Sequence, residues 1–375
     1  MSAEVGMRKG LRLVAMMSGV AVLAAVVSSN GVRAGGQSEF RPADTADPST
    51  QEPAHRMTSD DLEKIKLAVS NWGRWGKDDE RGTLNLITAK KTQDAARLIK
   101  DGVVVSLAHF ASHERGVGAS GTTHTVSGDA NWDWKTQPRA MIDRIEFSIH
   151  DGSNSHMDAI CHYQSLDGKF MVFNGHPANF GPQGCQADSI ERMGQPFATR
   201  AVLVDLPLLR GVKYLPPKTA IYQADLEAWE KYANVKIGSG DVLLVRTGRW
   251  ALQAENGKFT YNSQGPGLHL SVVPWLHQRD IAVLGSDAVN DVQPSGIVGG
   301  TAGIYGEKAN IPGQMDRPLH NSMLVYMGTP LIDNGYFEDA AREAASRKRW
   351  EFFISVAPNR IENASATPFN AVAIF

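Results

Sequence analysis

The segment SIHDGSNSHMDAICHYQ, residues Ser148–Gln164, contains three histidines and two aspartates with little other charge. His156, Asp158 and His162 follow the spacing H-x-D-x-x-x-H. Side chains two apart in an extended chain point to the same side, and His162 can return there after a turn. Imidazole nitrogen and carboxylate oxygen suit Zn²⁺, Mn²⁺ or Fe²⁺. The alternative is a histidine-rich loop held by hydrogen bonds, and spacing alone does not decide between the two.

A complete metal site needs further ligands from another part of the chain. The later segment HNSMLVYMGTPLIDNG begins at His320 and contains Asp333. Its apolar residues favour a helix after His320. Asp333 follows Pro330 and precedes Asn334-Gly335, so it is either a distant ligand or a turn aspartate.

Length and charge limit the classes of function. The chain has 375 residues, 42% of them hydrophobic, and a formal net charge of −2. This length allows one large domain or two ordinary ones. The near-neutral balance, without a run of Lys or Arg, argues against a nucleic-acid partner.

The N-terminus has the pattern of an export signal. Three basic residues precede the apolar run Leu13–Val27, and Val32–Ala34 offers a cleavage site. We expect residues 1–34 to be a signal peptide, 35–59 a flexible linker, and 60–375 a single globular domain. Cleavage would leave no stable membrane anchor, and the mature protein would be periplasmic or secreted; an uncleaved N-terminal anchor is the alternative.

Helical and strand patterns are mixed without strict alternation, which predicts an α/β (α+β mixed) domain. Helices are predicted at Asp60–Val69, from Thr88 to Gly102, and at Gln223–Ala233, Ser271–Gln278 and Glu338–Ala345. Strands are predicted at Val103–Leu107, Ile142–Ile149, Ala201–Leu206, Val242–Val245, Ile281–Leu284 and Phe352–Val356. The alternation of Ile145, Phe147 and Ile149 with polar residues predicts a strand with one buried face.

The chain has two cysteines, Cys161 and Cys185. Two cysteines cannot form a disulfide framework, so the hydrophobic core must provide the stability of the fold. An oxidising compartment permits a disulfide between them. Cys161 directly precedes His162, so it can equally be a small buried residue beside the site. The sequence argues slightly against the disulfide.

Several collinear segments resemble one known family, the cyclase family of metal-dependent hydrolases, which includes bacterial kynurenine formamidases and isatin hydrolases. The central segment NSHMDAICH is similar to its metal motif T-H-x-D-x-x-x-H, with Ser155 in place of threonine. The other similar segments are NWGRWGKDDERGTLNLIT (71–88), GDVLLVRTG (240–248), WLHQRDIAVLGSD (275–287), LHNSMLV (319–325), LIDNG (331–335) and APNRIENASATPFNAVAIF (357–375).

The resemblance implies a fold and a cofactor. The fold is a swivelling β/β/α single domain with a central barrel-like sheet flanked by helices. His156 and Asp158 would bind a divalent metal ion, Zn or Mn, and His162 would bind a second ion or act as acid/base. His320 and Asp333 would complete the site. Family members form dimers or tetramers, so a homo-oligomer is expected.

Two departures from the family pattern bear on the metal. Short members have a further histidine at the position of Gly152, and His150 is the candidate that would replace it. The late acidic residue is usually glutamate, whereas Asp333 is shorter by one methylene. Both changes leave the number and identity of the ions open.

A metal ion of this kind activates water, so we expect the protein to hydrolyse a C–N bond in a small amide, formamide or lactam; a lactone is an alternative substrate. We expect His162 and Asp333 to be the catalytic residues. The alternatives are a lyase or cyclase using the same ion, and a periplasmic binding protein with a vestigial site.

Other residues are candidates for the substrate pocket. Five aromatic residues would line a pocket for an aromatic substrate or simply pack in the core: Trp72, Trp75, Tyr163, Phe170 and Phe173. Arg246 and Arg249 would hold a substrate carboxylate or partner core acids. The Gly/Ser/Thr-rich segment Gly116–Gly128 would be a loop over the site or a surface loop. Among the remaining histidines, His176 is the next candidate to test.

Overall fold

A nine-stranded mixed sheet, curled into a half-barrel and flanked by helices, organises the chain. The computed structural model describes residues 56–111, 122–126, 142–146, 148–152, 154–165, 169–193, 196–257, 264–298 and 317–375, which all belong to one compact unit. The predicted signal peptide, nearly all of the predicted linker and most of Gly116–Gly128 lie outside these residues. The expected mixed α/β class, with a barrel-like sheet flanked by helices, is confirmed, and the sheet is a half-barrel.

The secondary structure elements have the following bounds. The strands are β1 Met57–Thr58, β2 Val104–Ser106, β3 Thr123–Val126, β4 Asp143–Glu146, β5 His156–Asp158, β6 Phe197–Asp205, β7 Ala220–Ile221, β8 Val242–Arg246, β9 Gly267–Leu268, β10 Val283–Ser286, β11 Ile297–Val298, β12 Leu331–Asp333, β13 Glu351–Val356, β14 Ala366–Pro368 and β15 Val372–Ile374. The helices are α1 Ser59–Ala68, α2 Ala89–Ala96, α3 Leu206–Arg210, α4 Gln223–Ala233, α5 Arg249–Asn256, α6 Val273–Gln278, α7 Pro318–Asn321 and α8 Glu338–Arg347. A π-helix, Ser322–Met327, continues α7, and 3₁₀ turns lie at Gly82–Leu86, Phe173–Gly175 and Leu270–Val272.

The central strands of the sheet are parallel and its margins are antiparallel. The strand order is β14-β5-β12-β10-β8-β6-β13-β15-β2, and the run from β12 to β6 is parallel. Both β8 and β10 are almost entirely buried, as expected for apolar strands covered on two faces. The short strand β5 lies between β12 and β14 and runs antiparallel to both. This order places the His156–Asp158 segment beside the strand that ends at Asp333.

Local signals set the predicted helix starts. Thr58 and Asp61 form a reciprocal capping box at α1, in which each backbone N–H donates to the other side chain. The hydroxyl of Thr88 accepts the N–H of Lys91, 3.1 Å away, at the start of α2. The helix predicted at Gln223–Ala233 forms with those bounds. Among the described residues, no helix has the length and apolar character needed to cross a bilayer.

The prediction of a buried face on the strand Ile142–Ile149 is wrong in its described part. Only Asp143–Glu146 forms a strand, and it pairs with β3 in a separate two-stranded ribbon. Ile142 and Ile145 are 66% and 57% exposed. Alternation shows that a strand has two different faces, but it does not show whether another layer covers the apolar one.

The slight preference for unpaired cysteines is also wrong. Cys161 and Cys185 form a disulfide, with their Cα atoms 6.3 Å apart. Cys161 lies in the turn after β5, where the His162 N–H donates to the Ala159 carbonyl at 2.9 Å. The Cys185 N–H donates to the carbonyl of Asn363 at 2.8 Å and the Ala159 N–H to that of Ser365 at 2.9 Å, so both cysteine segments lie against residues 363–365. These long-range contacts are not visible in the cysteine spacing.

Candidate metal centre

The six residues proposed as ligands lie in one cluster, in which His156, Asp158, His320 and Asp333 are buried, His162 is half-buried and His150 lies on the exposed side. In the register of β5 and β12, His156 pairs with Asp333, and Asp158 pairs with Leu331. His320 comes from α7, His150 precedes β5, and His162 lies in the turn that follows it. The structure therefore brings together two segments that are more than 150 residues apart in the sequence.

The carboxylate of Asp158 lies at the middle of the cluster. Its Oδ1 is 3.3 Å from His150 Nε2 and 3.6 Å from His156 Nε2. Its Oδ2 is 3.6 Å from His320 Nε2. Two groups here offer ligand atoms within 4.8 Å of one another: His150, Asp158 and His162, and His156, Asp158 and Asp333.

The donor atoms around Asp158 fit a divalent ion. Asp158 is 1% exposed, and neither of its oxygens has a hydrogen-bond partner among the described residues. A buried carboxylate without hydrogen bonds is costly unless a cation accompanies it. Because three imidazole nitrogens lie 3.3 to 3.6 Å from these oxygens, the site offers the mixed N/O ligands that divalent transition-metal ions accept.

The imidazole of His156 is oriented by the backbone. Its Nδ1 lies 2.8 Å from the carbonyl oxygen of Asn154 and donates its hydrogen there. This hydrogen bond fixes the tautomer and leaves the Nε2 lone pair directed at the cluster. The same turn is tied to β12, because the side chain of Asn334 donates to the Asn154 carbonyl.

His320 is held by a carboxylate that the sequence reasoning missed. Its Nδ1 forms a short hydrogen bond with Oδ2 of Asp291, and its Nε2 lies 3.3 Å from Oδ2 of Asp333. Burial opposes the charged form of His320, but Asp333 and Asp291 outweigh it and raise its pKa to about 10. The cluster thus stabilises positive charge at this position.

Asp333 is oriented by the neighbouring residue, Asn290. The backbone N–H and the side-chain amide of Asn290 donate to Asp333 Oδ1 at 3.1 and 2.7 Å. Its Oδ2 faces His320. Burial raises the pKa of Asp333, but the imidazolium of His320 lowers it further, and the net shift is downward. Asp333 therefore ends a strand rather than lying in a turn, and it contributes a carboxylate to the cluster.

Asn290 and Asp291 follow the buried strand β10 in the segment GSDAVNDVQ. Two adjacent polar residues after a buried strand are the signal from which the sequence could have indicated a functional role. Asp287 in the same segment has another role, because its carboxylate accepts hydrogen bonds from the backbone of Thr247 and Gly248. Sequence spacing could not assign these roles, since each depends on a contact with a distant element.

His162 lies beside the cluster with its ring stacked on His150, 4.0 Å between centroids. Burial first, and then the other histidines, lower the pKa of His162 to about 3, although Asp158 opposes the shift. The ring is therefore neutral at neutral pH. Asp158 itself has a lowered pKa: burial raises it, but His162, His150 and His156 more than compensate.

The two candidate arginines have protein partners. Arg246 pairs with Asp205 at 2.8 Å and with Glu338 at 2.6 Å. Arg249 donates short hydrogen bonds to the side chain of Asn334 and the carbonyl of Gly152. Arg249 therefore links two segments of the cluster: the loop that contains His150, and Asn334, which follows Asp333.

Of the five candidate aromatic residues, Tyr163 contacts the cluster. Its ring centroid lies 4.9 Å from that of His162 and 5.7 Å from that of His320. Trp72 instead stacks on Tyr326 and donates to the carbonyl of Val325. The remaining three lie against Arg74 (Trp75), on the exposed surface (Phe170) and in the core (Phe173).

The fold and the cluster together define a protein with a histidine–aspartate centre at one margin of a curled mixed sheet. The family model described as "Putative cyclase" matches residues 53–290, and the chain belongs to this family. A crystal structure of a novel cyclase is similar at 26% identity and a TM-score of 0.70, over 82% of this chain and 100% of that one.

More distant structures include an isatin hydrolase bound to the product analogue thioisatinate, at 15% identity and a TM-score of 0.49, over 77% of this chain and 99% of that chain. Isatin hydrolase A from Ralstonia solanacearum is 18% identical with a TM-score of 0.45, over 72% and 91%. A comparison with curated proteins found no match.

Proposed function

We propose that this protein is a metal-dependent hydrolase that cleaves a C–N bond of a small amide, formamide or lactam. The observation that supports this most is the buried carboxylate of Asp158, whose oxygens lie 3.3 to 3.6 Å from three imidazole nitrogens without hydrogen bonds among the described residues. Membership of the cyclase family supports the same conclusion.

His150, His156, Asp158, His320 and Asp333 would hold the ion. A divalent ion bound here would acidify water and polarise a carbonyl group. Its identity, Zn²⁺ or Mn²⁺, is part of the proposal.

His162 is the proposed general base. Its ring is neutral at neutral pH because burial lowers its pKa. It lies next to Asp158 and can accept a proton from water and return it to the leaving nitrogen. Asp333 has one oxygen that accepts hydrogen bonds from Asn290, and its other oxygen, directed at His320, would share the ion with that imidazole.

The proposed substrate is a small molecule with an aromatic ring. Tyr163 supports this, because its ring lies within 6 Å of two cluster histidines and aromatic side chains attract aromatic ligands. The motif resemblance to kynurenine formamidases and isatin hydrolases points to the same class.

The experiment is an assay of purified protein loaded with Zn²⁺ or Mn²⁺ on N-formylkynurenine, isatin, and a matched amide and lactone series. Turnover of a C–N substrate that disappears in His156→Ala is the expected result. Elimination or cyclisation products would favour a lyase, and tight ligand binding without metal or turnover would favour a binding protein.

We also propose that the protein is exported and assembles as a homo-oligomer. The N-terminal pattern and the disulfide support export, because disulfides persist in oxidising compartments. The exposed Ile142 and Ile145 on the β3–β4 ribbon support assembly. Cell fractionation and light scattering test the two proposals separately.

A further inference from the structure

A second cluster of potential ligands lies outside the candidate metal centre. Glu80, His176 and Asp188 come from three separate loops, and one ligand atom of each lies within 4.8 Å of the others. Asp188 is fully buried, while Glu80 and His176 are partly exposed. We propose that these three residues form a second cation site, for a divalent ion of the Zn²⁺ class.

The hydrogen bonds of His176 require a positive charge, a proton or a metal ion, between its ring and Asp188. Its Nε2 lies 3.2 Å from the carbonyl oxygen of Lys77 and must carry a hydrogen to bond there. Its Nδ1 lies 3.1 Å from both oxygens of Asp188. Since a neutral imidazole would then point a lone pair at a carboxylate, a proton or a metal ion must lie between the two groups.

The distances suit a metal ion in this place. Two donor atoms at about 2.1 Å from one ion, at angles between tetrahedral and octahedral, lie about 3.0–3.4 Å apart. The Nδ1–oxygen distances of 3.1 Å fall in this range. Glu80 offers a third ligand, and one imidazole with two carboxylates is a set that Zn²⁺ accepts.

The surrounding charge favours a divalent ion over a single proton. Asp79, Glu80 and Asp188 are acidic, and Arg192 offsets part of this charge, with its Nη1 3.3 Å from Glu80 Oε1. A bound divalent ion would neutralise more of this negative charge than one proton can.

The second site would support the first through the backbone. Asp188 follows Cys185 by three residues, and the disulfide joins Cys185 to the turn that carries His162. Glu80 also accepts the backbone N–H of Asp188 at 3.2 Å. An ion here would therefore hold three loops against the turn beside the candidate centre, independently of any reaction.

The test compares the number of Zn²⁺ ions bound per chain in full-length variants, by equilibrium dialysis and elemental analysis. His176→Gln is expected to bind one Zn²⁺ fewer than the wild type. The matched control is His277→Gln, which changes a half-buried histidine hydrogen-bonded to Asn71 and should bind as many ions as the wild type. Equal Zn²⁺ content in His176→Gln and wild type would overturn the proposal.

A second pair of variants separates this site from the candidate metal centre. The double variant Asp158→Asn/His320→Gln is expected to lose the metal of the candidate metal centre but to retain one Zn²⁺. Glu80→Gln keeps the contact between His176 and Asp188 and should therefore fold. We expect it to bind the Zn²⁺ of the second site at least tenfold more weakly. If the primary-site variant binds no Zn²⁺, or if Glu80→Gln leaves the affinity unchanged, the three loops are joined by a proton alone.

Discussion

Replacing Asp291 by asparagine tests whether the carboxylate behind His320 sets the strength of metal binding. Asp291 accepts the backbone N–H of Leu319 at 2.8 Å and that of His320 at 3.2 Å, as well as the short bond from His320 Nδ1. Asparagine has one oxygen in place of two and no charge. Either the imidazole or one backbone N–H therefore loses its acceptor.

The expected loss of metal affinity follows from the charge-assisted bond. Removing the hydrogen-bonding partner of a metal-binding histidine typically weakens affinity by about 10–100-fold, which corresponds to about 1.4–2.8 kcal/mol. Folding should weaken by about 1–3 kcal/mol, because one buried donor is left without an acceptor. Zn²⁺ affinity is measured by competition with a chelator, and the free energy of unfolding by denaturant titration.

Asp205→Asn is the matched control. Asp205 also accepts a backbone N–H at a helix start, that of Leu208 at 3.1 Å, and it also pairs with a cation, Arg246. The control should lose similar folding stability and keep full Zn²⁺ affinity. If Asp291→Asn binds Zn²⁺ within twofold of the wild type, the carboxylate does not act on the ion and the reasoning is refuted.

Three further predictions concern other parts of the molecule. His162→Gln should lower kcat by about 10²–10⁴-fold while elemental analysis shows unchanged metal content; loss of metal would make His162 a ligand instead. Replacing both Cys161 and Cys185 by alanine removes a crosslink across 24 residues and should lower the free energy of unfolding by about 3 kcal/mol; an unchanged denaturation midpoint would contradict this. Burial raises the pKa of Asp287 to about 6, so its contribution to stability is full below about pH 4 and is lost as pH rises through 6. The free energy of unfolding of Asp287→Asn, measured by denaturant titration relative to the wild type, should therefore rise by up to about 3 kcal/mol between pH 4 and 7. If the difference in unfolding free energy between the two proteins does not change with pH, the raised pKa of Asp287 is contradicted.

Local sequence patterns were sufficient to predict the main helices and strands of the fold. The helix Gln223–Ala233 and the buried strand at Val242–Val245 follow from periodicity alone, because each signal lies within one segment. The β4 ribbon was misjudged for the opposite reason. Whether Ile145 is covered depends on a second layer that its own sequence cannot describe.

The candidate site was predictable to the extent that its residues carry metal chemistry. The six histidines and aspartates selected from the sequence lie together, and their roles as ligands or catalysts remain predictions. Asn290 and Asp291 were missed because they act on Asp333 and His320, 43 and 29 residues away. The orientation of a ligand is a property of the tertiary contact, not of a motif.

The neighbours of β5 in the sheet restrict when the centre can form. His156 pairs with Asp333 on one side and with Pro368 on the other, so both flanking strands come from the last 50 residues. Closing loops of this length is a slow step in folding. The early histidines therefore stay apart from Asp333 until both of these later strands have paired with β5.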